Sequence, residues 1–339
     1  MTKVSAALIA LATFLISFGI GAQLYAYPHL AVMPATPQIN MVATTQADQP
    51  ATYFDIPTLK EVSGPLESRT TVRGDVAAAA DARVTSGQDV VVWTSYSCTG
   101  VAGEDCRDNP YPLAGTIDKI ASGTHSSVTV PWPGAYQETG GSKNQSPITE
   151  GYVFKLPFNT QKTTYPWWHS STNSYEPLVF RGTTTVQGLP VFKFEQKVTP
   201  RKVGTLDVPG ALVGSKDATV TADNMAGSTT EMTIEPETGV AITRVVHPTS
   251  YLEVNGRKVL TEIDGTFVVD QASVDETVAT YKPLALGLKA LRVWVPLVFI
   301  PAGILIYLLV AVRIRRARRP SPSASAAVET SRVPEGSRR

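Results

Sequence analysis

Between Val293 and Val312 the chain runs for twenty residues without a charge. At 1.5 Å per helical residue this is about 30 Å, the thickness of a bilayer's hydrocarbon core. Arg313, Arg315, Arg316, Arg318 and Arg319 come directly after it. Arginines packed against the end of a spanning helix stay in the cytoplasm. The run therefore sets a direction: the chain on its N-terminal side is outside, and the arginine-rich end is inside. Trp294 suits the head-group layer at the outer boundary. Pro296, Pro301 and Gly303 are tolerated in a membrane helix, where they permit a kink.

Val4 to Leu24 is a second uncharged run, preceded by Lys3. A cleaved signal peptide is the alternative, but its apolar core spans about 7–15 residues and ends on small residues. Cuts after Ala22 or Ala26 would place Ile20 or Leu24 three residues back. An uncleaved anchor fits better. The expected protein sits in the plasma membrane with two spans, both termini cytoplasmic and one large extracytoplasmic loop.

Charge shows the same division. Residues 28–290 carry 20 Lys+Arg against 27 Asp+Glu, whereas residues 313–339 carry 8 Arg against 2 Glu. A basic tail beside a membrane is drawn to anionic head groups, with about 1 kcal/mol per basic residue near the surface. Its proline and serine content reads as disorder, not as a folded reader of nucleic acid. Cys98 and Cys106 both fall in the external segment, where a pair closing a short loop is most simply a disulfide. The loop-entropy estimate gives it about 2–3 kcal/mol.

From Thr52 onward the pattern is strongly β. Strands are expected at 70–76, 89–96, 126–130, 151–156, 178–181, 190–198, 229–234, 240–246, 252–254, 258–261 and 266–269. Residues 133–146 read as a loop and 28–50 as an extended leash or early strand. Glu235 to Gly239 is a turn, and Asn255-Gly256 is a strong hairpin signal. Residues 273–291 read as a helix that Pro283 should break or kink. The expected class is mainly β, an α+β chain with a β-sandwich or partly closed barrel between two transmembrane helices. The layout is an anchor over 1–27, a β-rich domain over 28–269 and a juxtamembrane helix over 270–292. The second span over 293–312 and a basic disordered tail over 313–339 complete it.

Signals for chemistry are weak. His29, His125, His169 and His247 lack metal-motif spacing, and there is no nucleophile elbow or phosphate-binding loop. Glu104, Asp105 and Asp108 surround Cys106, but the ligand spacing of a dedicated calcium loop is absent, so they read as a solvated loop. No catalytic residue, cofactor or metal is expected. The densest aromatic group is Tyr165, Trp167, Trp168 and Tyr175. It suits a stacking platform for a sugar or a gate for an acyl chain, or else an ordinary inter-strand core. Arg181 and Lys193 are the nearest strand-borne cations, able to pair with a phosphate head group or to lie on solvated faces. A ligand phosphate would need such local cations, because the region's overall field is negative.

The lines TYPWW at 164–168, FRGTTTVQGLPVFKFEQ at 180–196 and EPETGVAI at 235–242 resemble the actinobacterial envelope family often labelled PorA-like. YPHLAVMP at 27–34 and the two-span layout fit the same family. Where the family carries an aspartate after the tryptophan, this chain has Trp168 and His169. The resemblance implies residence in the plasma membrane of a bacterium with a lipid-rich envelope. It also implies a role in lipomannan or lipoarabinomannan elongation and an external β domain that binds anionic phospholipid. A pore fits the pattern poorly, since a membrane barrel wants many alternating segments of about ten residues with an apolar outer face. The expected function is thus a non-enzymatic envelope factor that binds a lipid or lipoglycan precursor for membrane glycosyltransferases. Tyr165, Trp167, Trp168, Tyr175, Arg181 and Lys193 are its candidate contacts. The alternatives are a scaffold for those enzymes without lipid binding, a porin, or an enzyme acting on envelope glycans.

Overall fold

The computed structural model of the chain describes residues 3–46, 48–108, 112–139, 142–144 and 151–317. The chain divides into two compact units, Met1–Ala26 with Leu291–Arg339, and Tyr27–Ala290.

In the first unit, α1 (Lys3–Gly21) packs on a long apolar helix near the other end of the chain, Val295–Ala317. The contact is close because small residues stand where the helices meet. A Cβ added at Gly303 would lie 2.6 Å from Ile16 Cγ1, and one at Gly19 would lie 2.8 Å from Ile300 Cγ1. Helices in lipid gain little from hydrophobicity alone, so backbone approach and polar ties carry the pairing. Thr13 Oγ1 and Tyr307 Oη provide one such tie at 2.5 Å. The helical runs Lys3–Leu30 and Gln271–Arg316 are each long and apolar enough to cross a membrane. Arg313, Arg315 and Arg316 lie in the last turns of Val295–Ala317, while Arg318, Arg319 and the tail lie outside the described residues.

The second unit is mainly β, and its strands form one curled, half-barrel sheet. In chain order they begin with β1 (Gln38–Thr45), β2 (Ala51–Asp55), β3 (Lys60–Gly64) and β4 (Leu66–Gly74). Helix α2 (Tyr27–Leu30) precedes them and α3 (Val76–Ser86) comes after. Next come β5 (Val90–Val101), β6 (Ala114–Gly123), β7 (Thr129–Val130), β8 (Tyr136–Thr139) and β9 (Ser142–Asn144). The remaining strands are β10 (Tyr165–His169), β11 (Ser174–Val186), β12 (Leu189–Pro209), β13 (Thr219–Ile234), β14 (Ala241–Val254), β15 (Arg257–Asp264) and β16 (Phe267–Val269). Helix α4 (Gln271–Lys289) closes the unit, and Val295–Ala317 is α5.

The sheet order is β10-β11-β12-β13-β14-β16-β1-β4-β5-β6-β8-β9, with β15, β2 and β3 branching from β14 and β7 pairing with β6. The strands pair antiparallel throughout, as hairpin connections favour. Of the two readings of 28–50, leash or early strand, the strand holds: the stretch contains β1, a central strand. The expected strand at 151–156 is instead a seam. Gly151 O accepts from Thr129 N at 2.9 Å, and Tyr152 bonds to Pro166 O and Trp168 N at 2.9 and 2.8 Å. One segment therefore ties β7 to β10. A single bridge suffices there because the next residues dock on the Glu235–Gly239 turn, with Leu156 N donating to Gly239 O at 2.9 Å.

Three other expectations change. The loop at 133–146 contains β8 and β9; cross-strand pairing overrode its glycine and polar composition. The strand at 70–76 stops at Gly74, because Asp75 caps α3: its carboxylate accepts from Ala78 N at 2.9 Å. Gly87 ends that alanine-rich helix in the left-handed conformation, at φ 67°. Helix α4 continues through Pro283 without a break. Only one ladder bond is lost there, and the buried Val278, Ala285 and Leu288 hold both flanks.

Burial explains the strand composition. Val90 and Val92 face α3 in a cluster with Ala79, Ala82 and Trp132, while Val91 and Trp93 pack with Met33 and Val72. With both faces covered, the strand reads as a continuous apolar run. Beyond Trp93 the inward residues become Ser95, Ser97 and Thr99. That switch from apolar to hydroxyl marks the start of a cavity.

Candidate functional site

The curled sheet lines a partly open cavity of about 310 Å³ within the β unit. Cross-strand register builds its walls, since paired residues share a face. On one side Met41, Thr70, Ser97 and Thr116 form one row, and Ala43, Ser68, Thr99 and Ala114 form the next. On the other side Gln196, Thr230 and Val246 form a row beside Ser228 and Pro248. Phe267 and Val269 of β16 join the two sides, and Trp167, Trp168 and His169 of β10 complete the lining. The walls are thus rich in hydroxyls, with two indoles among them.

Three ionisable groups meet this space. Asp118 is buried, accepting from Gln137 Nε2 at 2.9 Å and from Ser170 Oγ at 3.5 Å. Burial pushes its pKa up to about 6 despite those bonds. His169 is held at both nitrogens, Nδ1 by Thr172 Oγ1 at 2.7 Å and Nε2 by Ser228 Oγ at 2.9 Å. Burial, with Arg244 nearby, pulls its pKa down to about 4, so the ring is neutral at pH 7.

Arg244 is different. Its row partner on β13 is Met232, and it lines the cavity. Its Nε is shut off from solvent without an acceptor, and burial lowers its pKa with no carboxylate opposing. Among the described residues no ion pair reaches its guanidinium. The surface that the side chain retains belongs to a residue of the cavity wall. Trp168 lines the same cavity, and its Nε1 is also buried without an acceptor.

The aromatic group splits. Tyr165 and Trp167 belong to a core with Leu178, Phe194, Met232 and Ile234, and Trp167 also reaches the cavity. Trp168 stacks edge-on against its cross-strand partner Tyr175 at 5.1 Å, and Tyr175 Oη bonds Thr129 Oγ1 at 2.9 Å across the seam. Neither predicted cation lies at the cavity. Arg181 is exposed at a bulge of β11 and pairs with Glu195 at 2.8 Å; Lys193 is exposed on β12.

Sequence reasoning passes over Arg244, Asp118 and the hydroxyl rows. A signal for Arg244 is present: it sits at the parity of Ile242 and Val246, where an apolar residue belongs. The seam has its own buried cation. Lys155 Nζ donates to Ser127 Oγ and Leu156 O, both at 2.8 Å, and lies 3.7 Å from the Phe158 ring. Burial lowers its pKa to about 7, with Glu235 opposing.

Cys98 and Cys106 form a disulfide. Asp105 beside it is held by Arg107, Nε to Oδ1 at 2.9 Å, and that partner keeps its carboxyl well below the usual range. Among the described residues no cluster of His, Cys, Asp and Glu could hold a metal ion. Residues 4–312 match the family model described as porin PorA. No curated protein matches the sequence.

Proposed function

The chain belongs to the porin PorA family, and from that premise we propose that it is a membrane-anchored envelope factor that binds the polar head of an amphipathic ligand. The ligand is an envelope lipid or lipoglycan precursor, bound in the curled β unit and held for membrane glycosyltransferases that extend lipomannan-type glycans. The observation that carries this is the cavity. At about 310 Å³ it is at the small end of ligand sites, which run to roughly 1,000 Å³. Its hydroxyl walls suit a sugar or phosphorylated head; an acyl chain would leave those hydroxyls without partners. Trp167 and Trp168 add flat surfaces of the kind a sugar ring stacks on. The protein acts here as a binder, with no reaction of its own.

Two features support an extracytoplasmic β unit: the disulfide, which persists where thiols are not kept reduced, and the arginines at the end of α5. A pore is the second reading, favoured by the family's description. Against it, the outward faces of β11 to β13 carry ion pairs such as Arg181–Glu195, Lys197–Glu195 and Lys202–Asp223. A lipid-facing barrel carries an apolar band there. Native mass spectrometry of the full chain, extracted from its own membranes, tests the proposal. A retained lipid or glycolipid is expected. A bare protein that gives stepwise conductance in planar bilayers would replace this reading with the pore.

A further inference from the structure

We infer that the cavity holds a phosphate group, monoester or diester, on the Arg244 guanidinium. The inference rests on the ligand-binding reading above and names the chemistry that the site selects.

A guanidinium nitrogen shut off from water needs a compensating acceptor, because a buried polar group without a partner is costly and one on a charged group is best met by an anion. Even partly exposed cations of the β unit have carboxylate partners, as Lys119 does with Asp75 at 2.8 Å and Arg201 with Glu176 at 2.7 Å, and the buried Lys155 Nζ is held by Ser127 Oγ and Leu156 O. Arg244 has no such partner among the described residues, yet its Nε is shut off from solvent and it lines the cavity. Asp118 shares that space, but its oxygens are engaged by Gln137 and Ser170, and no ion pair joins it to Arg244. His169 supplies no competing cation, since both its nitrogens are bonded and it is neutral at pH 7. Trp168 Nε1 is a second buried donor without an acceptor, on another residue of the cavity lining. Ser228 and Thr230 bring hydroxyls from the neighbouring strand. A planar fork with surrounding hydroxyl donors matches a tetrahedral anion with several oxygens.

The test uses the full chain in neutral detergent, stripped of bound lipid, with thermal midpoints read at matched ionic strength in sodium chloride. The probes are inorganic phosphate, glycerol phosphate, phosphatidylglycerol in micelles, methyl mannoside and diacylglycerol. The phosphate-bearing probes should raise the midpoint of the wild type. Arg244→Met should weaken that response on the order of tenfold or more, and Arg244→Lys by less. A response to the two soluble probes alone assigns a free phosphate, and one to phosphatidylglycerol assigns a lipid head. Arg244→Met should itself fold with a midpoint no lower than that of the wild type, so loss of response is not loss of structure. No response to any phosphate-bearing probe overturns the inference. So does an equal response in Arg244→Met. Binding of the neutral probes without a phosphate effect also overturns it, while leaving the cavity as a neutral ligand site.

Discussion

The outward and inward faces of the same sheet treat an arginine in opposite ways. Arg181, on the outside, is exposed at a bulge and pairs with Glu195 at 2.8 Å. Arg244, on the cavity wall, has its Nε buried and no carboxylate beside it. In water the first pair contributes little, because solvent already stabilises both charges. The second leaves Nε unsatisfied in the folded state, a cost that an anion from outside the chain would relieve. A cation's place in the sequence next to an aromatic motif is therefore a poorer guide to binding than its lack of a partner.

The strongest way to break this contrast is to replace Arg244 by Met in the ligand-free protein. Removing a cation whose Nε is buried without an acceptor should raise stability by about 1–3 kcal/mol in urea unfolding. A fall of that size would mean that the guanidinium is satisfied within the chain.

The pH response of Asp118 and His169 tests the inner face next. Folded Asp118 keeps its proton up to about pH 6, while the unfolded side chain loses it near 4. Its contribution to stability therefore falls as pH rises from 4 to 6 and stays lost above. Folded His169 resists protonation down to about pH 4, whereas the unfolded ring protonates below about 6.5. Its contribution rises with pH across 4–6.5 and is lost as pH falls. The two slopes oppose each other. Asp118→Asn should unmask a rise in stability between pH 4 and 6, with a gain on the order of 1–3 kcal/mol at pH 7. His169→Gln should unmask a fall over the same interval. Urea midpoints across that range check both, and parallel curves for all three proteins would refute the assignment.

Outside the cavity the effects shrink. Asp75→Ala removes the α3 cap and the tie to Lys119, and should cost about 1 kcal/mol by urea unfolding. Arg181→Ala should change stability by less than about 0.5 kcal/mol and leave ligand retention unchanged. If Arg181→Ala instead released the ligand, the assignment of roles to the two faces would be reversed.

Local patterns make much of the fold legible. The Glu235 turn forms as its residues require: Glu235 accepts from Thr238 N at 2.7 Å, and Gly239 sits at φ 75°. The Asn255-Gly256 hairpin, with both residues at positive φ, joins β14 and β15. Helix α3 escapes the strand-biased reading, although Asp75, four successive alanines and Gly87 spell a cap, a body and a stop. The seam at 151–156 reads as a strand because its alternation is local, whereas its pairing is decided by β7 and β10, which lie on either side of it in sequence. The candidate site is half legible. Trp167 and Trp168 do reach the cavity; Arg181 and Lys193 do not, since a bulge and the strand parity turn them outward.

The sequence alone determined the two apolar runs, the arginines that end the second, the cysteine pair and the β character between them. Each of these depends on composition or spacing within a few dozen residues. Only the tertiary structure decided that the sheet curls, that hydroxyls from β4, β5, β6 and β13 share one interior, and that Arg244 faces it unpaired. Those facts depend on register between strands far apart in the chain, and a charge's need for a partner is a property of the space around it.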